Sequence, residues 1–219
     1  MNTKTIFAAF AMFALGIACT PSEPEVEETV SQKVTATVVD NGAATAWTKS
    51  DVLGVYTDAS ENNVKYTAAS AGTSVSFTAA TEVKGTPKYA YYPYSEVNNN
   101  VSHTEVKLSM PIYREYHSTY KDLVGDFRAG VLDSRNWYSS TFTFNRVVAL
   151  YRFKVNVAGT PLVNSNIRTI SIKVNNKRQI TGDFKLNLAD QTISLGEFVE
   201  GNDSLTLKWS SEPTLRDHY

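Results

Sequence analysis

A chain of 219 residues with a formal net charge of −1 has room for one sizeable domain and carries no basic excess, which argues against nucleic acid as a partner. With 42% hydrophobic and 20% charged residues it has the composition of a globular protein and not of a disordered one. Its single cysteine, Cys19, excludes an internal disulfide framework.

The N-terminus reads as a targeting segment. Lys4 is the only charged side chain ahead of the apolar run from Ile6 to Ala18. That run falls short of the ~20 residues a membrane span needs and suits the hydrophobic region of a secretory signal. Cys19 follows at once, behind Leu15-Gly16-Ile17-Ala18, the placement of a bacterial lipoprotein signal in which the cysteine is lipidated and becomes the mature N-terminus. A signal peptide is therefore expected at residues 1–18, with lipidation at Cys19. Residues 19–31 hold Glu23, Glu25, Glu27 and Glu28 with Pro21 and Pro24, a combination that stays extended and solvated and reads as an acidic tether. An acidic stretch behind a lipidated cysteine resembles the export signal of surface-displayed lipoproteins. The expected location is the outer membrane, at the cell surface, held by the lipid anchor.

The folded domain is expected over residues 32–200. Val34, Ala36 and Val38 alternate with threonines as a strand does. Val52 to Tyr56 is a short apolar run of the kind a buried strand makes, and Asn62-Asn63 predicts a turn before Val64. Val75 to Thr78 alternates again. Lys88 to Tyr94 is an aromatic strand that must end, or lie on an edge, at Pro93, which has no N–H to donate. Val106 and Leu108 mark another strand, and residues 111–126 lack a clear period and read as a long loop.

The longest strand-like run is Thr141 to Val157. Phe142, Phe144, Val148 and Leu150 share one phase, and Tyr151, Phe153, Val155 and Val157 share the other, which predicts a long central strand with a bulge or sheet crossing near Val147. Further strands are expected at residues 167–174, 184–188, 193–195 and 205–209. Strands recurring about every ten residues, with turn residues between them and no helical period, predict an all-β, Greek-key-like two-sheet β-sandwich.

Candidate chemistry is sparse. The histidines are scattered, and no nucleophile elbow, HExxH, CxxC or phosphate loop is present, so no catalytic residue, metal site or cofactor is expected and the chain does not read as an enzyme. Asp51 suits a turn in which its carboxylate accepts backbone N–H bonds. Gly54, inside a strand, suits a close backbone approach. Tyr89, Tyr91, Tyr92 and Tyr94 form either core and edge packing or a platform for sugar rings. Trp137 and Tyr138, in the polar segment SRNWYSS, are candidate ligand contacts at a loop tip.

Several of these segments together resemble the fimbrillin family, the lipoprotein precursors of strand-exchange pili on some Gram-negative outer membranes. Trp47-Thr48-Lys49-Ser50-Asp51-Val52-Leu53-Gly54-Val55-Tyr56 resembles the family's Trp-x-x-Gly-Asp-x-Ile-Gly-Val-Tyr pattern, with Ser50 in place of the glycine. Tyr89 to Tyr94 resembles its aromatic strand ending in proline. Phe142 and Phe144 through Ala149, Leu150 and Phe153 resemble its core strand, with Arg146 where the family often has histidine. Ile167 to Gly182 resembles the segment that follows.

The resemblance implies a transthyretin-like sandwich and a role as a structural or accessory subunit of a surface fimbria, with a possible adhesive part. Its partners would be other fimbrial subunits joined by strand exchange, the outer membrane through the lipid anchor, and a host or glycan ligand. It also implies proteolytic removal of the strand Lys33 to Val39. The first arginine past that strand is Arg114, so maturation would fall at Lys33, Lys49 or to another protease, or the chain would be an uncleaved anchor or accessory subunit. The alternative is a surface glycan-binding lipoprotein. Residues 201–219 are expected to start an incomplete second domain, because the strands beyond Ile167 are too few to close one.

Overall fold

The computed structural model of the chain describes residues 33–39, 46–115, 125–133, 140–151 and 154–209. Apart from a single turn of 3-10 helix at Glu96–Asn98, the regular elements of those residues are all strands, so the all-β class holds. Seven strands form a ring. In spatial order they are β1 (Lys33–Val38), β4 (Ser74–Ala79), β3 (Ser60–Ala68), β2 (Val52–Thr57), β5 (Pro87–Tyr92), β8 (Arg128–Leu132) and β9 (Thr141–Arg146), and β9 pairs back to β1. Two three-stranded sheets lie outside the ring: β12 (Thr192–Leu195), β11 (Gly182–Asn187) and β6 (Val106–Met110), and β10 (Thr169–Lys173), β13 (Ser204–Lys208) and β7 (Tyr113–Glu115). The ladders thus differ from the expected two-sheet sandwich, because β1 bridges β4 and β9 and closes the largest sheet on itself.

Two cores follow from the side-chain alternation of the strands. Val34, Ala36, Leu53, Val55, Phe77 and Phe144 point into the ring. Tyr56, Tyr91 and Ala129 point outward from β2, β5 and β8, where Val106, Leu108, Phe184 and Leu186 of the neighbouring sheet cover them. β2 is therefore buried on both faces, which is why its sequence reads as an unbroken apolar run instead of an alternating one. A fully buried side chain of this size contributes about 1.5–3 kcal/mol relative to exposure.

Two local expectations need correction. The long central strand stops at Arg146, and β3, with nine residues, is the longest strand described. The ladder to β1 ends at Val38 opposite Phe144 and the ladder to β8 ends at Arg128 opposite Arg146; the last backbone bond from this side is that of the Val147 N–H to the Phe127 carbonyl at 2.9 Å, and no ladder among the described residues continues past it. Leu150 and Tyr151 are exposed accordingly, while Val157 is buried without a strand. The hairpin turn falls at Asp58-Ala59, with Thr57 opposite Ser60, and not at Asn62-Asn63. There the Asp58 carboxylate accepts the Thr86 N–H at 2.7 Å. Asn63 lies inside β3, and its amide donates to the Ser95 carbonyl and the Asn99 side chain.

The loop expected over residues 111–126 contains the short strand β7. β13 pairs antiparallel with β10 and parallel with β7, both of which precede residue 201.

Candidate functional site

The slot that holds β1 is the most distinctive local arrangement in the ring. β1 runs antiparallel to β4 and parallel to β9, and every other ring ladder is antiparallel. Its threonines face out while Val34, Ala36 and Val38 are buried. Backbone bonds tie it on both sides: Thr35 N–H to the Ser140 carbonyl at 2.9 Å, Val38 N–H to Thr73 at 2.9 Å and Val39 N–H to Phe144 at 3.2 Å. Outside the core, the Thr37 and Ser74 hydroxyls lie 2.8 Å apart.

Trp47 closes the slot from within. It is 2% exposed, and its ring meets Phe77, Tyr92 and Phe144 edge-on at centroid distances of 5.2, 5.3 and 5.2 Å. Its indole N–H donates to the Ala36 carbonyl of β1 at 3.0 Å, and its backbone exchanges two bonds with Gly72. Trp47 thus packs into the core beside β1 and bonds that strand directly.

Below Trp47 sits a buried polar group. Asp51 accepts the Thr48 N–H at 2.6 Å, as its turn role requires, and the Tyr92 hydroxyl at 3.2 Å. The Asp126 carboxylate accepts from Arg128 Nη2 at 2.6 Å and from Arg146 Nε at 2.6 Å. The Arg128 guanidinium lies 5.6 Å from the Trp47 ring centroid. Burial, followed by the charge and hydrogen bond of Asp51, holds the Tyr92 hydroxyl well above the ordinary tyrosine range.

Lys33 and Lys49, the candidate maturation positions, bracket this slot. Lys33 is exposed at the first residue of β1, and Lys49 is exposed in the turn between Trp47 and Asp51. A cut at Lys33 leaves β1 in place. A cut at Lys49 separates β1 and Trp47 together from the rest of the ring.

The tyrosine platform is not available as a face. Tyr91 is fully buried, and Tyr89 stacks on His103 with centroids 4.1 Å apart and planes 5° from parallel. Tyr92 packs on Trp47, and Tyr94 has the Lys65 ammonium 5.6 Å from its centroid. Gly54 is required by close approach, as expected, but to a side chain. A Cβ there would come within 2.0 Å of the Tyr91 ring. Cys19, Trp137 and Tyr138 lie outside the described residues.

A groove of about 1020 Å3 opens elsewhere, beside the β6–β11–β12 sheet, where Tyr94, Lys107, Asp183, Glu197, Phe127 and Phe184 contribute to its walls. The sequence offered no sign of it, since its residues come from five separate segments. Asn98 was also missed. It is fully buried, and its amide bonds the Lys107 N–H at 2.7 Å, the Lys107 carbonyl at 3.0 Å and the Tyr91 hydroxyl at 3.1 Å.

No protein-family model matches the chain, and no curated protein matches it at a significant level. Among solved structures, a crystal structure from Bacteroides ovatus ATCC 8483, provisionally described as that of a cell adhesion protein, aligns with a TM-score of 0.45 at 17% identity, over 84% of this chain and 74% of that one.

Proposed function

We propose that the chain is a structural or accessory subunit of a cell-surface fimbria that assembles by β-strand addition. The observation that carries this reading is the setting of β1: one strand, inserted between β4 and β9, is all that closes the ring. Taking β1 out would leave an open sheet from β4 round to β9, with Phe77, Phe142, Phe144 and Trp47 or its vacated site lining a slot. On this reading the closed ring would be a two-sheet, transthyretin-like sandwich whose sheets β1 joins. A strand from a neighbouring subunit with apolar residues at alternate positions would restore the ladders, main-chain bonds giving strength and side chains giving register. On this reading the lipid on Cys19 holds the precursor at the outer membrane, and processing falls at Lys49 in preference to Lys33.

The test is to replace the turn at Lys49 with a site for a specific protease, cut the purified chain, and add a synthetic peptide of residues 33–39. The cut protein should bind the peptide or associate into oligomers, and the uncut protein should do neither. A cut protein that stays monomeric and ignores the peptide overturns the reading. In cells, Cys19→Ala should abolish palmitate labelling, and surface material should contain chains that begin beyond β1.

A second reading, a surface glycan-binding protein, is favoured by the groove beside β6, β11 and β12. Its volume is of ligand-site size, and Tyr94 sits there among Lys107, Asp183 and Glu197. Retardation in polysaccharide-containing gels that is lost in Tyr94→Ala supports it, and unretarded migration across a glycan panel removes it.

A further inference from the structure

The β6–β11–β12 sheet has two outer edges, and they are treated differently. The β6 edge is capped by a side chain at Lys107. Lys107 turns its N–H and carbonyl away from β11, and the Asn98 amide bonds both. On β12 the Asp190 carboxylate accepts from the Thr192 N–H and hydroxyl, and no side chain among the described residues bonds the main chain of Ile193 or Leu195. Thr192 to Leu195 is exposed along its whole length, with Ile193 at 39% and Leu195 at 56%. None of its four residues is charged or proline, the usual devices that keep an edge from pairing.

The direction of the free groups can be read from the ladder. Gly196 donates its N–H to the Asp183 carbonyl of β11. Bonding alternates along an antiparallel pair, so Ser194 and Thr192 also face β11, and the N–H and carbonyl of Ile193 and Leu195 point outward. The β6 side fits the same alternation, because Lys107 lies opposite Lys185 and turns its own groups away. Ile193 and Leu195 lie opposite Leu186 and Phe184, so their side chains share the apolar face that covers the barrel wall.

We propose that β12 pairs antiparallel with β12 of a second copy of this chain about a two-fold axis through Ser194. This register places Ile193 opposite Leu195 of the copy and Leu195 opposite Ile193. Each of the two pairs then exchanges two main-chain bonds, using every outward group of the strand. Apolar side chains meet apolar side chains on the inner face, and Ser194 meets Ser194 on the outer one. A shift of one residue would set Ile193 against Ser194 and put unlike faces together, so the alternation itself excludes it. Glu197 comes opposite Gln191, so no like charges meet at the flanks. The product is a continuous six-stranded sheet, and its symmetry closes at two copies. The exposed Phe198 and Val199, next along the chain, extend the apolar strip beside the axis. A contact built on four residues buries less than the roughly 1,000 Å2 of a stable interface, so the dimer is concentration-dependent. This pairing is independent of the β1 slot and needs no processing.

Cysteine crosslinking reads the register directly. In the full chain carrying Cys19→Ser, held in mild detergent, Ser194→Cys faces itself across the axis and is expected to form a disulfide dimer under mild oxidation. Thr192→Cys, which faces Gly196, and Ser171→Cys on β10 serve as controls and should crosslink at least tenfold more slowly. Ile193→Pro removes an outward N–H, and Leu195→Lys puts a cation into the apolar pair; either should abolish the Ser194→Cys crosslink and hold the chain at monomer mass in sedimentation as concentration rises through the micromolar range. Should Ile193→Pro lose its fold by circular dichroism, Leu195→Lys carries the test alone. Equal crosslinking at all three positions, or a dimer that survives Leu195→Lys, overturns the proposal, as does a monomer at every concentration.

Discussion

At the scale of single residues, the strongest constraints come from small side chains facing large ones. Gly54 lies on the outward face of β2, where Tyr91 of β5 crosses it, and a Cβ would also fall 2.4 Å from the Asn63 amide oxygen. Tyr91 cannot swing away, since its hydroxyl bonds Asn98 and the Ser95 backbone while its ring packs in the second core. Gly54→Ala is therefore expected to force either the ring or β2 out of place, at a cost of about 1–3 kcal/mol in urea unfolding. Gly72, whose added Cβ would meet only ordinary contacts but whose φ is +151°, provides a contrast in which the backbone and not the space resists substitution. An unchanged urea midpoint for Gly54→Ala would mean that the β2–β5 crossing is looser than described. The sequence pointed to Gly54 as a place of close approach, and the identity of the neighbour could only come from the ladder.

At the scale of elements, what the sequence disclosed depended on whether a strand's burial was local or borrowed. β1 and β4 alternate cleanly because one face meets the core and the other meets water, and β2 reads as a buried run because both faces are covered. The apolar run past Arg146 looked like strand because Val147 and Val148 do pack against the second core, yet after the single Val147 N–H bond to the Phe127 carbonyl no ladder continues among the described residues. Periodicity records which residues are buried and is silent on whether a ladder continues. The ion cluster under β1 was hidden for a related reason: Asp126, Arg128 and Arg146 come from two strands and the segment before one of them, and charged residues in a strand read as solvent-facing. Their side chains are only 5–15% exposed. Two guanidinium groups there share the Asp126 carboxylate, so Asp126→Asn would take that shared counter-charge from both. We expect a loss of about 3–5 kcal/mol, and we expect Asp126→Asn with Arg146→Met to recover part of it, because the pair removes an unpaired cation together with its partner. Equal destabilisation in the single and double variants would assign the loss to packing instead of charge.

At the scale of the whole molecule, the buried tyrosines set an alkaline limit. Burial pushes Tyr66 up to about 12, and it pushes Tyr56 and Tyr92 higher still, with Tyr91 and Glu61 adding to Tyr56 and the Asp51 charge adding to Tyr92. An unfolded tyrosine ionises near pH 10. The folded values are raised, so the native state holds these protons more tightly than the unfolded chain does. Their contribution to stability is complete below pH 10 and drains away as pH rises through 10 toward the folded values, with the slope set by the protons the unfolded chain releases first. The urea midpoint is therefore expected to be level near neutrality and to fall steeply above pH 10. Tyrosinate absorbance from Tyr56, Tyr66 and Tyr92 should appear only with unfolding. Tyr66 isolates the effect. Its hydroxyl is buried with no hydrogen-bond partner, so Tyr66→Phe removes a group that costs stability in the fold and leaves the ring in place. Tyr66→Phe should be at least as stable as the parent chain at pH 7 and should lose stability less steeply between pH 10 and 12. A parallel loss in the two proteins would show that burial of the Tyr66 hydroxyl does not govern alkaline unfolding, and would move the limit to Tyr56 and Tyr92.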